Sequence, residues 1–335
     1  MIAGRLTYLV VGFVLLLILA SGLPAQESKL EQIRVLTLLG RPLPIIVGEM
    51  HGTFAKYGIE VHTDNSPSSD LLRAALAAGK GDVAYAAVDN AVAMVELAGV
   101  NVAIVSGGEG SQNELIAQSD VKSIKDLRGK TVLVDAVNTA YALQMKKIFL
   151  LNGMQAGHDY EMKAYGVTPL RLAALLEHKE FAGSMLGPPT SIVAKRAGLV
   201  SLGSIQDLLG AYQAAGHFVQ RHWAQEHRNT LVNYLAAYIE AQRWLMAAAN
   251  KQQVIALMIK EAHLASDVAA ETYELSMTRP GGFEKDAQLD PQGLENVLKL
   301  RAEVEGQWGG HAPPPKKYYD DAYYQAALAK IKGAQ

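Results

Sequence analysis

At 335 residues, half of them hydrophobic and 19% charged, the chain is long enough for two domains or one large two-lobed one, and general disorder is excluded. A formal net charge of −2, with no basic or acidic block, leaves no charged face for nucleic acid. The absence of cysteine removes disulfides, thiolate metal sites, cysteine nucleophiles and a lipid-modified N-terminal cysteine together.

Arg5 supplies a positive n-region, Tyr8 to Ala20 an apolar h-region, and Ser21-Gly22-Leu23-Pro24-Ala25 a stretch suited to cleavage. This is the plan of a secretory signal peptide, cut after Gly22 or Ala25, and it predicts a periplasmic protein. The strongly apolar part is short for a membrane span of about 20 residues. Residues 1–25 are therefore set apart from the mature chain.

Ile33 to Leu39 reads as a strand, ended by Gly40-Arg41-Pro42-Leu43-Pro44. Ile45 to Phe54 has helical spacing, and Gly58 stops that helix before a second strand, Ile59 to His62. Ser66 as N-cap with Pro67 at N1 opens a helix through Leu76. A strand through Val88 ends in Asp89-Asn90, the helix Ala91 to Ala98 follows, and Val100 to Val105 is a strand closed by Gly107-Gly108-Glu109-Gly110. Three strand–loop–helix units in a row predict a mostly parallel sheet covered by helices. In such sheets ligands sit outside the carboxyl ends of the strands.

Asn113 to Ala117 reads as the strand that carries the chain to a second lobe. Ser123 caps a short turn stopped by Gly129, Thr131 to Val134 is a buried strand, and Asp135 to Asn138 make a turn. Thr139 opens a helix that ends near Asn152-Gly153. Tyr160 to Tyr165 is a strand, and Thr168 as N-cap with Pro169 at N1 starts a helix through Leu176. Val200 to Leu202 closes this lobe, Gly216 to Val219 crosses back, and Asn229 to Ala249 is a long helix. The division expected is 26–112 with 216–335 as a discontinuous first lobe and 113–215 as the second.

The run from Ser123 to Val134, with its following helix and Leu150-Leu151-Asn152-Gly153-Met154, resembles the second lobe of NMT1/THI5-like solute-binding proteins of the SsuA/TauA type. Gly52 to Val61, Ala77 to Val88 and the ending Lys317 to Leu328 are similar to further segments of that family. The resemblance covers nearly everything after the signal. It implies an α/β, two-lobed type 2 periplasmic binding protein fold, each lobe a mostly parallel sheet flanked by helices, joined by a two-strand hinge. It also implies a small-molecule ligand, an ABC permease in the inner membrane as partner, and lobe closure in place of catalysis. Where the family has A-L-x-x-G-x-V-D-A-A, Glu177 to Gly183 displace both the glycine and the aspartate, which weakens the carry-over of ligand contacts at Ser184 and Gly187.

Candidate ligand-binding residues lie in the loops at strand ends: Arg41 and Pro42; Ser66, Ser68 and Ser69; Asp89 and Asn90; Asn138 and Thr139; Gly166 and Thr168; and Gly187. Arg41 is the one arginine in these loops and suits a carboxylate or sulfonate. Glu109 and Asp89 would repel an anion they faced, which keeps a neutral or cationic ligand in play. A helix N-terminus contributes only ~0.3–1 kcal/mol toward an anion, against about 8 kcal/mol for micromolar affinity. Several termini must therefore converge. The ligand expected is a sulfonate, carboxylate or similar anion.

No catalytic residue, metal or cofactor is expected. The nine histidines show no metal-ligand spacing, Ser66 to Ser69 lack a G-x-S-x-G elbow, and Gly107 to Gly110 lack the P-loop lysine. A monomer is expected. The alternatives are a binding protein for pyrimidine or thiamine precursors, a ligand-binding sensor module, and a pyrimidine-synthesis enzyme. The enzyme is disfavoured, since its cysteine-rich motif is absent and an export signal does not suit it.

Overall fold

The computed structural model describes residues 29–38 and 40–333; the expected signal segment 1–25 lies outside them. The short apolar runs form strands β1 (Glu31–Thr37), β2 (Ile59–Asn65), β3 (Val83–Ala87), β4 (Val102–Ser106), β5 (Glu114–Ala117), β6 (Thr131–Val134), β7 (Glu161–Ala164), β8 (Phe181–Leu186), β9 (Val200–Ser204) and β10 (Ala215–Gln220). They assemble into two five-stranded sheets, ordered β2-β1-β3-β10-β4 and β7-β6-β8-β5-β9. In the first, β1 pairs parallel with β2 and β3, while β10 runs antiparallel between β3 and β4. In the second, β6 pairs parallel with β7 and β8, while β5 runs antiparallel between β8 and β9.

Both sheets are thus mixed, mostly parallel, and carry one reversed strand each. The reversed strands are the two that the chain lays down on arrival from the other sheet. An arriving strand comes from the opposite direction, whereas the βα units that follow repeat one direction. Every residue of β4 and of β8 is buried, as expected of strands covered on both faces. The free edge of β4 is closed by the segment after residue 317, where Ile104 donates to the Tyr318 carbonyl and accepts from Asp320 N, each at 2.8 Å.

Local sequence accounts for most helices and corrects several expected boundaries. The helix expected over Ile45 to Phe54 is two, Leu43–Met50 and Thr53–Lys56, because Gly52 takes a left-handed conformation (φ 63°) between them. Ser68, not Ser66, caps the helix Ser69–Ala77, accepting from Leu71 N at 3.3 Å. Ser66 N is already engaged with the Thr37 carbonyl at 2.7 Å, so the chain is still extended there. The helix Asp89–Ala98 begins at Asp89 itself. Thr168 is the first residue of the helix Thr168–Glu177, one position inside the cap. Thr139 stands at the N-cap position of the helix Ala140–Leu151, where the helix was expected to open, but its hydroxyl donates to Asp135 and the Ala136 carbonyl and caps no backbone N–H.

Strand β8 was not anticipated, since the unusual stretch Glu177 to Gly183 hides its start. Beyond β10 come the helices Arg228–Met246, Lys251–Ala262, Ser266–Thr278, Pro291–Glu305 and Ala322–Gly333. One buried cluster runs through both sheets, joining Leu72, Val88, Leu115, Val134, Phe149, Phe218 and Leu298. A second packs Tyr234, Leu235 and Tyr238 of the long helix onto Ile33, Val83 and Val219 of the first sheet. Each such aliphatic or aromatic side chain contributes about 1.5–3 kcal/mol by leaving water. Tyr318, Tyr323 and Tyr324 are buried and fasten the C-terminal helix.

Candidate functional site

The chain passes between the sheets at residues 107–113 and returns at residues 205–214. These two crossovers pair with each other. Gly110 forms an isolated bridge with Gln213, Ala214 N donates to the Glu109 carbonyl at 3.2 Å, and Glu109 N donates to the Ala215 carbonyl at 3.3 Å. A third segment joins them, with Glu284 N on the Gly108 carbonyl at 3.0 Å and Gly110 N on the Gly282 carbonyl at 3.1 Å. The crossovers therefore form a narrow backbone-bonded waist beside the strand ends.

The loops nominated from sequence meet here in part. Asp135, just after β6, accepts from the Ser69 hydroxyl at 2.9 Å and the Thr139 hydroxyl at 2.6 Å, linking a helix of the first sheet to one of the second. Arg73 donates to Asn90 Oδ1 at 3.0 Å and to Asn138 Oδ1 at 3.3 Å, a second link across the same gap. The Arg73 side chain also pairs with Asp70. Arg301 supplies the third link. It grips Asp89 with Nε at 2.5 Å from Oδ1 and Nη2 at 2.7 Å from Oδ2, and Nη2 lies 3.3 Å from the Asn138 carbonyl.

Ser69, Asn90, Asn138 and Thr139 thus come together, and Asp89 lies beneath them in a buried ion pair. Arg41 is engaged elsewhere, with Glu49 of the helix it precedes, while the Pro42 carbonyl accepts from Ile45 N and Ile46 N. Ser66 is buried against β1, and Ser68 is occupied as a cap. Gly187 follows β8, its carbonyl accepting from Ser191 N at 3.0 Å.

Gly166 and Thr168 belong to a different cluster, centred on Arg171. This fully buried guanidinium donates to the Gly166 carbonyl at 2.6 Å, Ser184 Oγ at 3.0 Å, and Thr168 Oγ1 and the Met185 carbonyl at 3.1 Å each. All of these oxygens are uncharged, and the Tyr141 ring lies 5.3 Å away. Burial pushes the guanidinium pKa down, and the nearby Asp135 and Tyr141 oppose that shift. Burial lifts the Tyr141 hydroxyl to about 12. The half-buried Glu109 carboxyl is pushed up to about 7 by burial alone.

Arg73, Asp135, Arg171 and Arg301 are the residues that sequence reasoning missed. Arg301 did carry a local signal, since it continues the apolar stripe Leu294, Val297, Leu298 at helical spacing. Arg171 stands three residues after Thr168, one helical turn away. A groove of about 460 Å³ lies to one side of the waist, lined in part by Glu109, Gln213, Arg279, Glu284 and Asp290. It contains none of the loop residues nominated from sequence. The site is better placed at the strand ends, where groups from both sheets converge, than in this groove. Among the described residues no cluster of histidine and carboxylate side chains is placed to hold a metal ion.

The NMT1-like family matches residues 38–259, about two thirds of the chain. Among curated proteins none matches the sequence. Solved structures match over nearly the whole chain. A protein of Bordetella bronchiseptica RB50 aligns with a TM-score of 0.77 at 17% identity, covering 90% of this chain and 98% of its own. The periplasmic nitrate-binding protein NrtA of Synechocystis PCC 6803 aligns at 0.73 and 13% identity, covering 91% of this chain and 90% of its own. The periplasmic aliphatic sulphonate binding protein SsuA of Escherichia coli aligns at 0.66 and 16% identity, covering 87% and 92% respectively.

Proposed function

The chain belongs to the NMT1-like family, and from that premise we propose that it is an exported solute-binding protein that delivers a small organic molecule to an ABC importer. The observation that carries this reading is the convergence of loops from both sheets, Ser69 and Asn90 against Asn138 and Thr139, beside a waist of two crossovers. Two bodies joined this way turn about the waist and meet at the loops. In this reading the bodies are 26–112 with 216–335, and 113–215. The signal segment 1–25 directs the chain to the periplasm, and the names of the solved neighbours support that placement.

Opening separates Ser69 from Asp135, Arg73 from Asn138, and Arg301 from Asn138. Each of these bonds has a carboxylate or guanidinium partner and contributes about 1.5–3 kcal/mol net, so the three links favour the closed form without fixing it. A solute in the cleft adds contacts to both walls and shifts the balance to the closed form, which the permease then recognises. An organic acid remains the ligand favoured. With Arg41 bound to Glu49, the positive group for it is Arg171, beside Gly166 and Thr168. The protein acts by binding, without turnover.

The test is a thermal-shift screen of the purified chain with sulfonates, carboxylates, aromatic acids and pyrimidines. A ligand at 100 times its Kd adds about 2.7 kcal/mol, a shift of several degrees. A binder recovered unchanged after incubation supports the reading. Chemical conversion of that compound, or silence across the whole panel, overturns it.

A further inference from the structure

Two helices of the C-terminal half lean on the segment 113–215, each with one end at the waist. Pro291–Glu305 packs against Ala140–Leu151, and a Cβ on its Gly293 would lie 2.5 Å from Gln213 N of the return crossover. Ser266–Thr278 packs against Thr190–Arg196, and its Leu275 carbonyl accepts from the Gln112 side chain of the outgoing crossover. The other end of each helix carries charge. Lys146 Nζ lies 2.7 Å from Glu305 Oε1, and Lys147 pairs with Glu303. Arg196 spreads its fork over Asp267 and Glu271, with Nη2 2.8 Å from Glu271 Oε2. At 1.5 Å per residue, Glu305 stands about 18 Å along its helix from Gly293, and Asp267 about 12 Å from Leu275. The pairs sit where a turn about the waist parts the walls furthest.

Among the described residues, these four ion pairs are the ones that join 113–215 to the rest of the chain, and in each the cation comes from 113–215. The charges are unfavourable when left bare. Asp267 and Glu271 stand at i and i+4, where like charges repel. Glu303 and Glu305 occupy a last helical turn that holds no basic residue, so the helix dipole works against them. Lys146 and Lys147 are neighbours in sequence. The partner across the gap offsets each of these repulsions. All of these side chains keep contact with solvent, so salt screens them, which the fully buried Arg301–Asp89 pair escapes.

We propose that the four pairs form an ionic latch, through which ionic strength sets the balance between the open and closed protein. This rests on the solute-binding reading above, in which the two bodies turn about the waist. An exposed ion pair is weak alone, but all four break in one movement. Low salt holds the cleft shut, and high salt lengthens the open phase in which solute enters and leaves.

The chain has no cysteine, so Ala78→Cys and Glu177→Cys, both exposed and one on each body, take spin labels at those positions alone. Electron–electron resonance then measures the distance between them without solute. The two conditions are ionic strengths of about 10 mM and about 1 M, between which the screening length falls from about 30 Å to about 3 Å. Salt should raise the ratio of long to short distances by about threefold or more. Lys146→Gln, Lys147→Gln and Arg196→Gln together should give the long distance at both salt levels. Lys146→Glu with Lys147→Glu should open the protein at low salt, and adding Glu303→Lys with Glu305→Lys should close it again. Circular dichroism checks the fold of each variant, and the wild-type salt series decides even where a variant misfolds. A wild-type distance indifferent to salt overturns the latch. So does a salt response that persists in the triple variant, or a loss of stability there with no change in distance. None of these results touches the solute-binding reading, which falls if the solute panel is silent, whatever the distances show.

Discussion

Arg301 and Asp89 stand 212 positions apart and form a bidentate ion pair from which water is excluded, both side chains being fully buried. Burying two charges is costly, and removing one partner alone leaves the other stranded. Arg301→Ala should therefore cost about 3–5 kcal/mol. The double variant Asp89→Leu with Arg301→Met should recover most of that loss. Urea melts of the three variants decide. A single variant within 1 kcal/mol of wild type, on the order of the scatter for surface changes, would sink the idea that the pair holds the strand ends.

Asp135 is the acceptor shared by Ser69 and Thr139 across the gap. Replacing it by Ala removes the acceptor from two hydroxyls, of which Thr139 retains the Ala136 carbonyl at 3.0 Å. Leaving the buried partner unsatisfied costs about 1–3 kcal/mol. The loss should be local as well as global. Hydrogen exchange should accelerate in residues 68–72 and 139–143, the first turns of the two helices that Asp135 links. Uniform exchange across the molecule would show that Asp135 does not join them.

The local pattern of the sequence revealed β6, the helix start at Thr139 and the stop at Gly129, because each depends on residues within one turn of one another. The division into strand–loop–helix units was legible for the same reason, and the family motifs in Gly52–Val61 and Ser123–Val134 named the fold. The partners in the site were not legible. Arg73 finds Asn138 65 positions away, and Ser69 finds Asp135 66 positions away. Nothing in either segment specifies the other. Arg41 misled for a related reason: an arginine before a helix reads as a free cation until Glu49, two turns on, comes round to meet it. Ser66 misled because Ser-Pro reads as a helix start, whereas the strand backbone had first use of its N–H.

Glu109 gives a pH signature in stability. Its folded carboxyl titrates near 7, above the unfolded value of 4.5. The folded state therefore holds a proton that the unfolded chain releases, and stability falls as pH rises from 4.5 through 7. Glu109→Gln removes this penalty. The variant should match wild type at pH 4 and exceed it at pH 8 by on the order of 1–3 kcal/mol, allowing for solvent around a half-buried group. Chemical denaturation at the two pH values measures it. A variant no more stable than wild type at pH 8 would mean that Glu109 is solvated or paired.

His217 gives the opposite signature, on the acid side. Its ring is fully buried on β10, with Nδ1 2.7 Å from Ser106 Oγ and Nε2 3.1 Å from the Tyr234 hydroxyl. The rings of Tyr85 and Tyr238 enclose it, with centroids at 4.8 and 4.4 Å. Burial drives its pKa down to about 3, so the folded state holds it neutral. The unfolded chain takes up that proton near 6.5, the ordinary histidine value. Below 6.5 the unfolded state binds more protons than the folded one, so stability is fully present above 6.5 and declines as pH falls toward 3. Paired carboxylates add their own acid loss, and a variant is needed to separate the two. His217→Gln should lower stability at pH 7 by about 1–3 kcal/mol through the disturbed hydrogen bonds. It should also flatten the decline between pH 6.5 and 4, since the amide does not titrate. Urea midpoints at pH 7, 5.5 and 4 give both quantities. An unchanged acid slope in the variant would show that the proton is taken up elsewhere.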